Sequence, residues 1–152
     1  MKKELFNLAI ICMVAFVSMG FVSCSKDDDN GTINANAIVG TWKFTHEEGF
    51  QGGVSFSEER SSNRIRYYHI DRDGTCMEYF IDNRDGDGEW EITINPDFAF
   101  DAENKRLKFS SDWGDVVTLN NKTLKIKYIY DEEEWYMETY TKVDDSVLDG
   151  IE

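Results

Sequence analysis

Few side chains in this 152-residue sequence have the type and spacing that an active site requires. Its two histidines, His46 and His69, form no recognisable local signature with an acid and a nucleophilic Ser or Cys. Adjacent strand residues face opposite sides, so His46, Glu47 and Glu48 are poorly spaced for a closed metal site. We predict no catalytic residue, no metal ligand and no cofactor, and we expect that the protein is not an enzyme.

Residues 83–88 match the first half of a calcium-binding loop. Side-chain oxygens stand at positions one, three and five, and a glycine stands at position six. Position twelve is Ile94, where a bidentate Glu belongs. A hairpin turn rich in Asp and Gly explains the same residues, and we favour that interpretation.

The N-terminus has the layout of a secretory signal peptide, in which a short basic start precedes an almost unbroken apolar run over residues 5–22. The run ends at Phe21-Val22-Ser23-Cys24, and polar residues follow at once. This arrangement resembles the lipobox of bacterial lipoproteins, in which the leader is cut before a cysteine. The resemblance implies that residues 1–23 are removed and that Cys24 is the lipidation site.

An acylated Cys24 would anchor the protein without a membrane span, because a diacylglycerol and an N-acyl chain supply at least two hydrophobic signals. Residues 24–36 are then an acidic, flexible tether. Within it, Lys26-Asp27-Asp28-Asp29 resembles the tags that send some lipoproteins of Gram-negative bacteria to the cell surface, whereas a plain solvated tether has the same composition. We expect an outer-membrane lipoprotein, on either face of that membrane.

The charge balance limits the partners of the chain. Its 16 Lys and Arg stand against 30 Asp and Glu, which gives a formal net charge of -14. The basic footprint that nucleic acid binding needs is therefore missing.

The length suits one domain with one core. Cys12 lies in the predicted leader and Cys24 is the predicted lipidation site, so Cys76 has no disulfide partner. We expect Cys76 to be buried as a small hydrophobic side chain.

Beyond the tether, apolar residues recur at every second position in short runs separated by Gly, Asp and Asn, which is the period of strands. Eight such runs are present, over residues 38–44, 64–70, 75–81, 90–94, 107–109, 117–119, 124–130 and 135–143. Antiparallel strands that follow one another in sequence order are most economically closed into an up-and-down barrel, because closure removes the edge strands. We predict an all-β, eight-stranded antiparallel barrel over residues 37–145, with residues 146–152 as a C-terminal tail.

The turn at residues 71–75 fixes the register of one hairpin. A type I turn with Gly74 as a left-handed bulge would pair Ile70 with Cys76. In that register we expect one inward face to carry the side chains of Ile65, Tyr67, His69, Met77, Tyr79 and Ile81.

Val39-Gly40-Thr41-Trp42, at the start of the first strand, resembles the Gly-x-Trp signature of lipocalins. The similarity is closest to the lipocalin-like (calycin) domains of bacterial lipoproteins, which often carry an Asp-Gly-Thr hairpin such as residues 73–75. The resemblance spans about residues 38–143 and implies a cup that holds a small ligand. It also implies a barrel-closing set of Gly40, Trp42 and Lys142, in which Lys142 packs on the indole as a cation-π contact.

Residues 47–63 form a long predicted connection, and in lipocalins the equivalent loop overhangs the mouth of the cup as a lid. The predicted ligand-binding residues are the loop aromatics and part of the inward set, namely Phe44, Phe50, Phe56, Tyr67, His69, Tyr79, Trp90 and Tyr128. Two functions follow. One is a membrane-anchored module that binds a small hydrophobic molecule in the cup. The other is a filled barrel that docks on surface proteins or glycans.

Overall fold

The computed structural model describes residues 33–151, which form ten β-strands and two short 3-10 helices, with no α-helix in that range. The strands are β1 (Gly40–Gln51), β2 (Val54–Glu59), β3 (Arg64–Ile70), β4 (Cys76–Asp82), β5 (Glu91–Ile94), β6 (Ala99–Asp101), β7 (Arg106–Lys108), β8 (Gly114–Leu119), β9 (Thr123–Ile129) and β10 (Trp135–Val143). The 3-10 helices are Ala35–Ile38 and Asp145–Leu148. Neither helix is long and apolar enough to cross a bilayer. The all-β prediction is confirmed, whereas the leader, Cys24 and most of the tether lie outside the described residues.

All ten strands belong to one antiparallel sheet. Its order is β5-β4-β3-β1-β10-β9-β8-β7-β6, and β2 pairs with β1 beside this path. The predicted count of eight strands is wrong, because β2 and β6 were not expected. Strand β2 is largely polar and exposed, and β6 has three residues, so neither carries a strand-length apolar period.

The prediction of one long connecting loop over residues 47–63 is also wrong. Strand β1 continues to Gln51, and β2 returns along it in a hairpin that pairs Gln51 with Val54. The two turn residues are Gly52 and Gly53, with φ of 58° and 83°. A two-residue turn with positive φ at both positions is the type that matches the twist of a hairpin, and it favours glycine.

The sheet curls into a half-barrel, because residues distant in the strand order meet on one side of it. Tyr68 lies on β3 and Phe109 follows β7, with four strands between them in the sheet order. Their rings stack at a centroid distance of 3.9 Å, and Tyr140 of β10 lies 5.3 Å from Phe109. We call the side that carries this buried cluster the inner face.

The β3–β4 hairpin has the predicted register but the opposite orientation. Ile70 pairs with Cys76, and Gly74 has the expected left-handed φ of 88°. However, Tyr68 is 4% exposed and Ile70 and Cys76 are each 1% exposed, so these residues occupy the inner face. Since successive strand residues alternate, the predicted inward residues lie on the outer face, among them Tyr67, His69 and Tyr79. The outer face is the more apolar of the two, because the inner face also carries Arg64, Arg66, Glu78 and Asp82, so the apolar period indicates the wrong face.

Asn95 links the two margins of the curled sheet. Its backbone N–H donates to the Cys76 carbonyl at 2.8 Å, and its Nδ2 donates to the Phe109 carbonyl at 2.8 Å. Its Oδ1 accepts the backbone N–H groups of Asp97 and Phe98, each at 3.1 Å. Within residues 33–151, β5 and β6 are the end strands of the sheet path and do not pair with each other. The Asn95 side chain therefore holds the seam between them.

We expect Asn95→Ala to lower the free energy of unfolding by about 1–3 kcal/mol, because the Phe109 carbonyl loses its donor in a partly buried setting. The control is Asn104→Ala, whose amide bonds only within an exposed turn and whose loss we expect to cost about 0.5 kcal/mol or less. Urea denaturation of the two variants measures the difference. Equal losses would show that Asn95 is an ordinary loop residue.

Candidate functional site

One end of the inner face is closed by Trp42 and Lys142, which lie opposite each other on β1 and β10. Trp42 is fully buried, and its Nε1 donates to the Ile38 carbonyl at 2.7 Å. Lys142 Nζ lies 5.0 Å from the centroid of the Trp42 ring and donates to the Val39 carbonyl at 2.6 Å. Gly40 has φ of 117°, and a Cβ there would lie 2.8 Å from Lys142 Cε. The structure thus brings Gly40, Trp42 and Lys142 together.

The middle of the inner face is filled by side chains. Its buried members include Leu124, Ile126 and Tyr128 of β9 and Tyr140 of β10. The Phe44 ring stacks on Tyr140 at 5.1 Å, which joins β1 to the same cluster. Of the predicted ligand-binding residues, Phe44 and Tyr128 therefore lie on the expected face, and both are core residues.

Beyond Phe44 the inner face becomes charged around a cavity that we call the arginine pocket. Its volume is about 160 Å³, and it is lined by Phe44, Arg60, Arg64, Arg66 and Phe80. Strand alternation places Arg64 and Arg66 on the same face as Tyr68, and Phe80 lies directly opposite Arg66 on β4. The guanidinium carbon of Arg60 lies 4.3 Å from the Phe44 centroid, and that of Arg66 lies 5.0 Å from the Phe80 centroid.

Each arginine of the pocket has a carboxylate neighbour. Arg60 pairs with Glu47. Arg66 Nε lies 3.1 Å from Glu78 Oε1, and Arg64 Nε lies 3.3 Å from Asp82 Oδ2. The pairs do not use every donor, because the buried Nε atoms of Arg60 and Arg66 make no aligned hydrogen bond with a described residue. The Arg64 side chain is 43% exposed at the rim. Guanidinium donors therefore remain for a further acceptor.

Glu138 lies on the inner face next to this pocket, opposite Glu47 on β1 and Ile126 on β9. Tyr140 donates its hydroxyl to Glu138 Oε2 at 2.7 Å. Burial raises the pKa of the Glu138 carboxyl above its ordinary value. The Tyr140 hydrogen bond opposes this pKa shift, and the charge of Glu47 adds to it. Arg66 and Arg60 favour the ionised form, although not enough to reverse the effect of burial.

The remaining predicted ligand-binding residues lie away from the pocket. Phe50 and Phe56 lie on the β1–β2 hairpin. Trp90, predicted to face inward, instead packs against Tyr67 of the outer face at 6.0 Å. The three pocket arginines were not predicted. The spacing of Arg64 and Arg66, two residues apart on a predicted strand, places both on one face and was the available signal.

His69 belongs to a polar cluster on the outer face rather than to a cup. Thr41 donates its hydroxyl to Asp145 Oδ1 at 2.6 Å, so His69 Nδ1, at 2.8 Å from the same hydroxyl, acts as a donor to it. The only hydroxyl hydrogen of Thr41 is thus directed at the carboxylate and not at the imidazole. This cluster attaches the last 3-10 helix to β1.

Cys76 is buried, and burial raises the pKa of its thiol to about 12. A neutral thiol without access to solvent is a poor nucleophile. Across residues 33–151, no three His, Cys, Asp or Glu residues are grouped closely enough to hold a metal ion.

Comparison with known proteins found no family model that matches this sequence, and no curated protein matches it.

We expect Glu138→Gln to stabilise the protein at neutral pH. The raised pKa means that the folded state favours the protonated carboxyl, so stability falls as the pH rises through that pKa. The amide oxygen of Gln can still accept the Tyr140 hydroxyl and carries no charge. The variant should therefore unfold at a higher urea concentration than the parent at about pH 7, with little difference at about pH 4.

Glu103→Gln, in an exposed turn, serves as the control and should change neither value. A variant with Gln at position 138 that is less stable at neutral pH would show that the ionised carboxylate contributes favourably to the fold.

Proposed function

We propose that the protein is a membrane-anchored lipocalin-like lipoprotein that binds a small hydrophobic ligand with an anionic end at the inner face of its sheet. The observation that carries this proposal is the arginine pocket. The sequence contains six arginines, and three of them line this one cavity in a chain of net charge -14. The described residues that line the cavity include three arginines and no Asp or Glu, so guanidinium groups face its interior and favour a negatively charged group as the ligand's head.

The chemistry of the pocket supports an amphipathic ligand. Arginine presents planar donors that match a carboxylate or phosphate, and the partly exposed Arg64 side chain presents such donors at the rim. Phe44 and Phe80 provide apolar surface on the same cavity. Ligand pockets for drug-sized molecules usually reach roughly 300 Å³ or more, so this smaller cavity suits the head and first carbons of a ligand rather than all of it.

The finer fold assignment is also a proposal. The Gly40, Trp42 and Lys142 contacts and the curled antiparallel sheet support a lipocalin-like barrel. The lipobox resemblance supports lipidation at Cys24 and an outer-membrane location.

A second candidate function, docking of another protein at the cell surface, is favoured by the outer face of β3, β4 and β5. Apolar side chains cover it, and Ile94 is 66% exposed. The other members are Ile65, Tyr67, Met77, Tyr79, Ile81, Trp90 and Ile92. Contiguous apolar surface of this kind often marks an interaction site.

For the ligand proposal, we expect octanoate to bind more tightly than octanol, and Arg64→Gln to weaken octanoate binding by about tenfold, the effect of one charge-assisted hydrogen bond. Arg64 is the chosen position because its partly exposed side chain can change without opening the core. The control, Arg106→Gln, removes the same charge from β7 and should leave binding unchanged. Isothermal titration calorimetry gives the constants, and native mass spectrometry of protein from its own cells detects a retained ligand.

Equal binding of octanoate and octanol, or equal effects of the two arginine variants, would contradict an anionic head at this pocket. Two results together would favour the second candidate. The protein from its own cells would have the mass of the chain without a ligand, and a crosslink to a surface protein would be lost in Ile94→Lys but kept in Arg64→Gln.

For the anchor, we expect Cys24→Ser to abolish incorporation of labelled palmitate, because Cys24 is the proposed site of the acyl chains. The matched control is Cys12→Ser, within the proposed leader. Palmitate labelling that persists in the position 24 variant would place the lipid elsewhere or exclude it.

A further inference from the structure

A second cavity lies between the tips of two neighbouring hairpins, β1–β2 and β9–β10. Its volume is about 300 Å³. Its lining includes Phe56, Tyr130 and Tyr136, whose side chains lie on the same face as Gly49. Phe50 and Trp135 also border it, but they pair with each other one position along the strands, so alternation directs their side chains to the opposite face. We call it the hairpin groove. It shares no lining residue with the arginine pocket.

Gly49 lets these aromatics converge. It pairs with Tyr136 on one side and with Phe56 on the other. A Cβ at this position would lie 2.4 Å from the Trp135 carbonyl oxygen and 2.8 Å from the Phe56 ring. The absence of a side chain therefore allows Phe56 to pack across β1 toward β10.

Acidic groups accompany the aromatics. Glu134 lines the groove, and Gln51 Nε2 donates to its Oε1 at 2.7 Å, which holds the carboxylate in place. Glu47 also lines the groove and pairs with Arg60 behind it. Tyr130 donates its hydroxyl to Asp112 at 3.2 Å. The described residues that line the groove include no Lys, Arg or His.

The same chemistry already occurs on the opposite face of this hairpin, where Lys127 Nζ lies 4.4 Å from the centroid of the Trp135 ring. Aromatic faces attract cations through the ring quadrupole, and a nearby carboxylate adds a separate Coulomb attraction. The groove therefore favours a cation, whereas the arginine pocket favours an anion.

We propose that the hairpin groove binds a small organic cation of the ammonium class, held by aromatic faces and by Glu134. The overall acidity of the protein adds a long-range attraction for such a ligand. The groove has its own lining residues, and the Glu47–Arg60 ion pair lies between it and the proposed anion pocket.

The test compares choline with its uncharged isostere, in which a tert-butyl group replaces the trimethylammonium group. The two molecules have nearly the same shape, so the difference in their affinities isolates the charge. We expect choline to bind about fivefold more tightly, the effect of a partly exposed cation-π site, as measured by isothermal titration calorimetry at millimolar ligand.

Two variants locate the binding. Glu134→Gln should weaken choline binding about threefold and leave the isostere unaffected. Glu132→Gln removes the same charge from the same turn outside the groove and should have no effect. Tyr130→Leu keeps an apolar, half-exposed side chain but removes the ring, so it should weaken choline binding by a similar factor without opening the core.

Equal binding of choline and its isostere would overturn the proposal, as would equal effects of the two glutamate variants or no choline binding at millimolar concentration. Octanoate titrations separate this outcome from the first proposal, because Glu134→Gln should leave octanoate binding intact and Arg64→Gln should leave choline binding intact.

Discussion

The stacking of Tyr68 on Phe109 is the contact on which the architecture depends. Four strands separate the two residues in the sheet order, so their rings meet only if the sheet curls. The curl then gives the large apolar side chains of β9 and β10 a place away from water, with Tyr140 against both partners. It also turns alternate residues of β3 toward a shared interior. The positions of Arg64 and Arg66 are therefore a consequence of where Tyr68 must lie.

A bulge in β1 gives the inner face its division into an apolar part and a charged part. The register with β10 shifts between Phe44 and His46, so one extra residue enters the strand. The shift keeps Glu47 and Gly49 on the same face as Phe44, where strict alternation would have placed His46 and Glu48. Glu47 can then pair with Arg60, and Gly49 leaves room for Phe56. One insertion thus shapes both cavities.

The features that the sequence predicted well are those set by local chemistry. Strand positions follow the apolar period, and the turn at Gly74 fixes the pairing of Ile70 with Cys76. The Trp42 indole, expected to bond a nearby carbonyl, donates to that of Ile38, and Lys142 lies over its ring. The orientation of β3 could not be found in this way, because Tyr67 and Tyr68 are equally suited to burial. Nor could β2, whose strand conformation depends on pairing with β1 rather than on its own residues. The arginine pocket could not be predicted for both reasons, because it requires the correct inner face of β3 and the β1–β2 hairpin that precedes Arg60.

The pairing of β1 with β10 has a consequence for how the chain reaches this structure. Thr41 pairs with Val143, so β1 and β10, the two longest strands, are about a hundred residues apart in the sequence. Such non-local contacts make folding slow. β1 cannot pair with β10 until residues 135–143 have been synthesised. Until then its apolar face has no permanent cover, and an unpaired strand edge is prone to aggregation. For the proposed exported precursor, late closure has a benefit, because a chain that has not closed its sheet is still free to be threaded through a translocation channel.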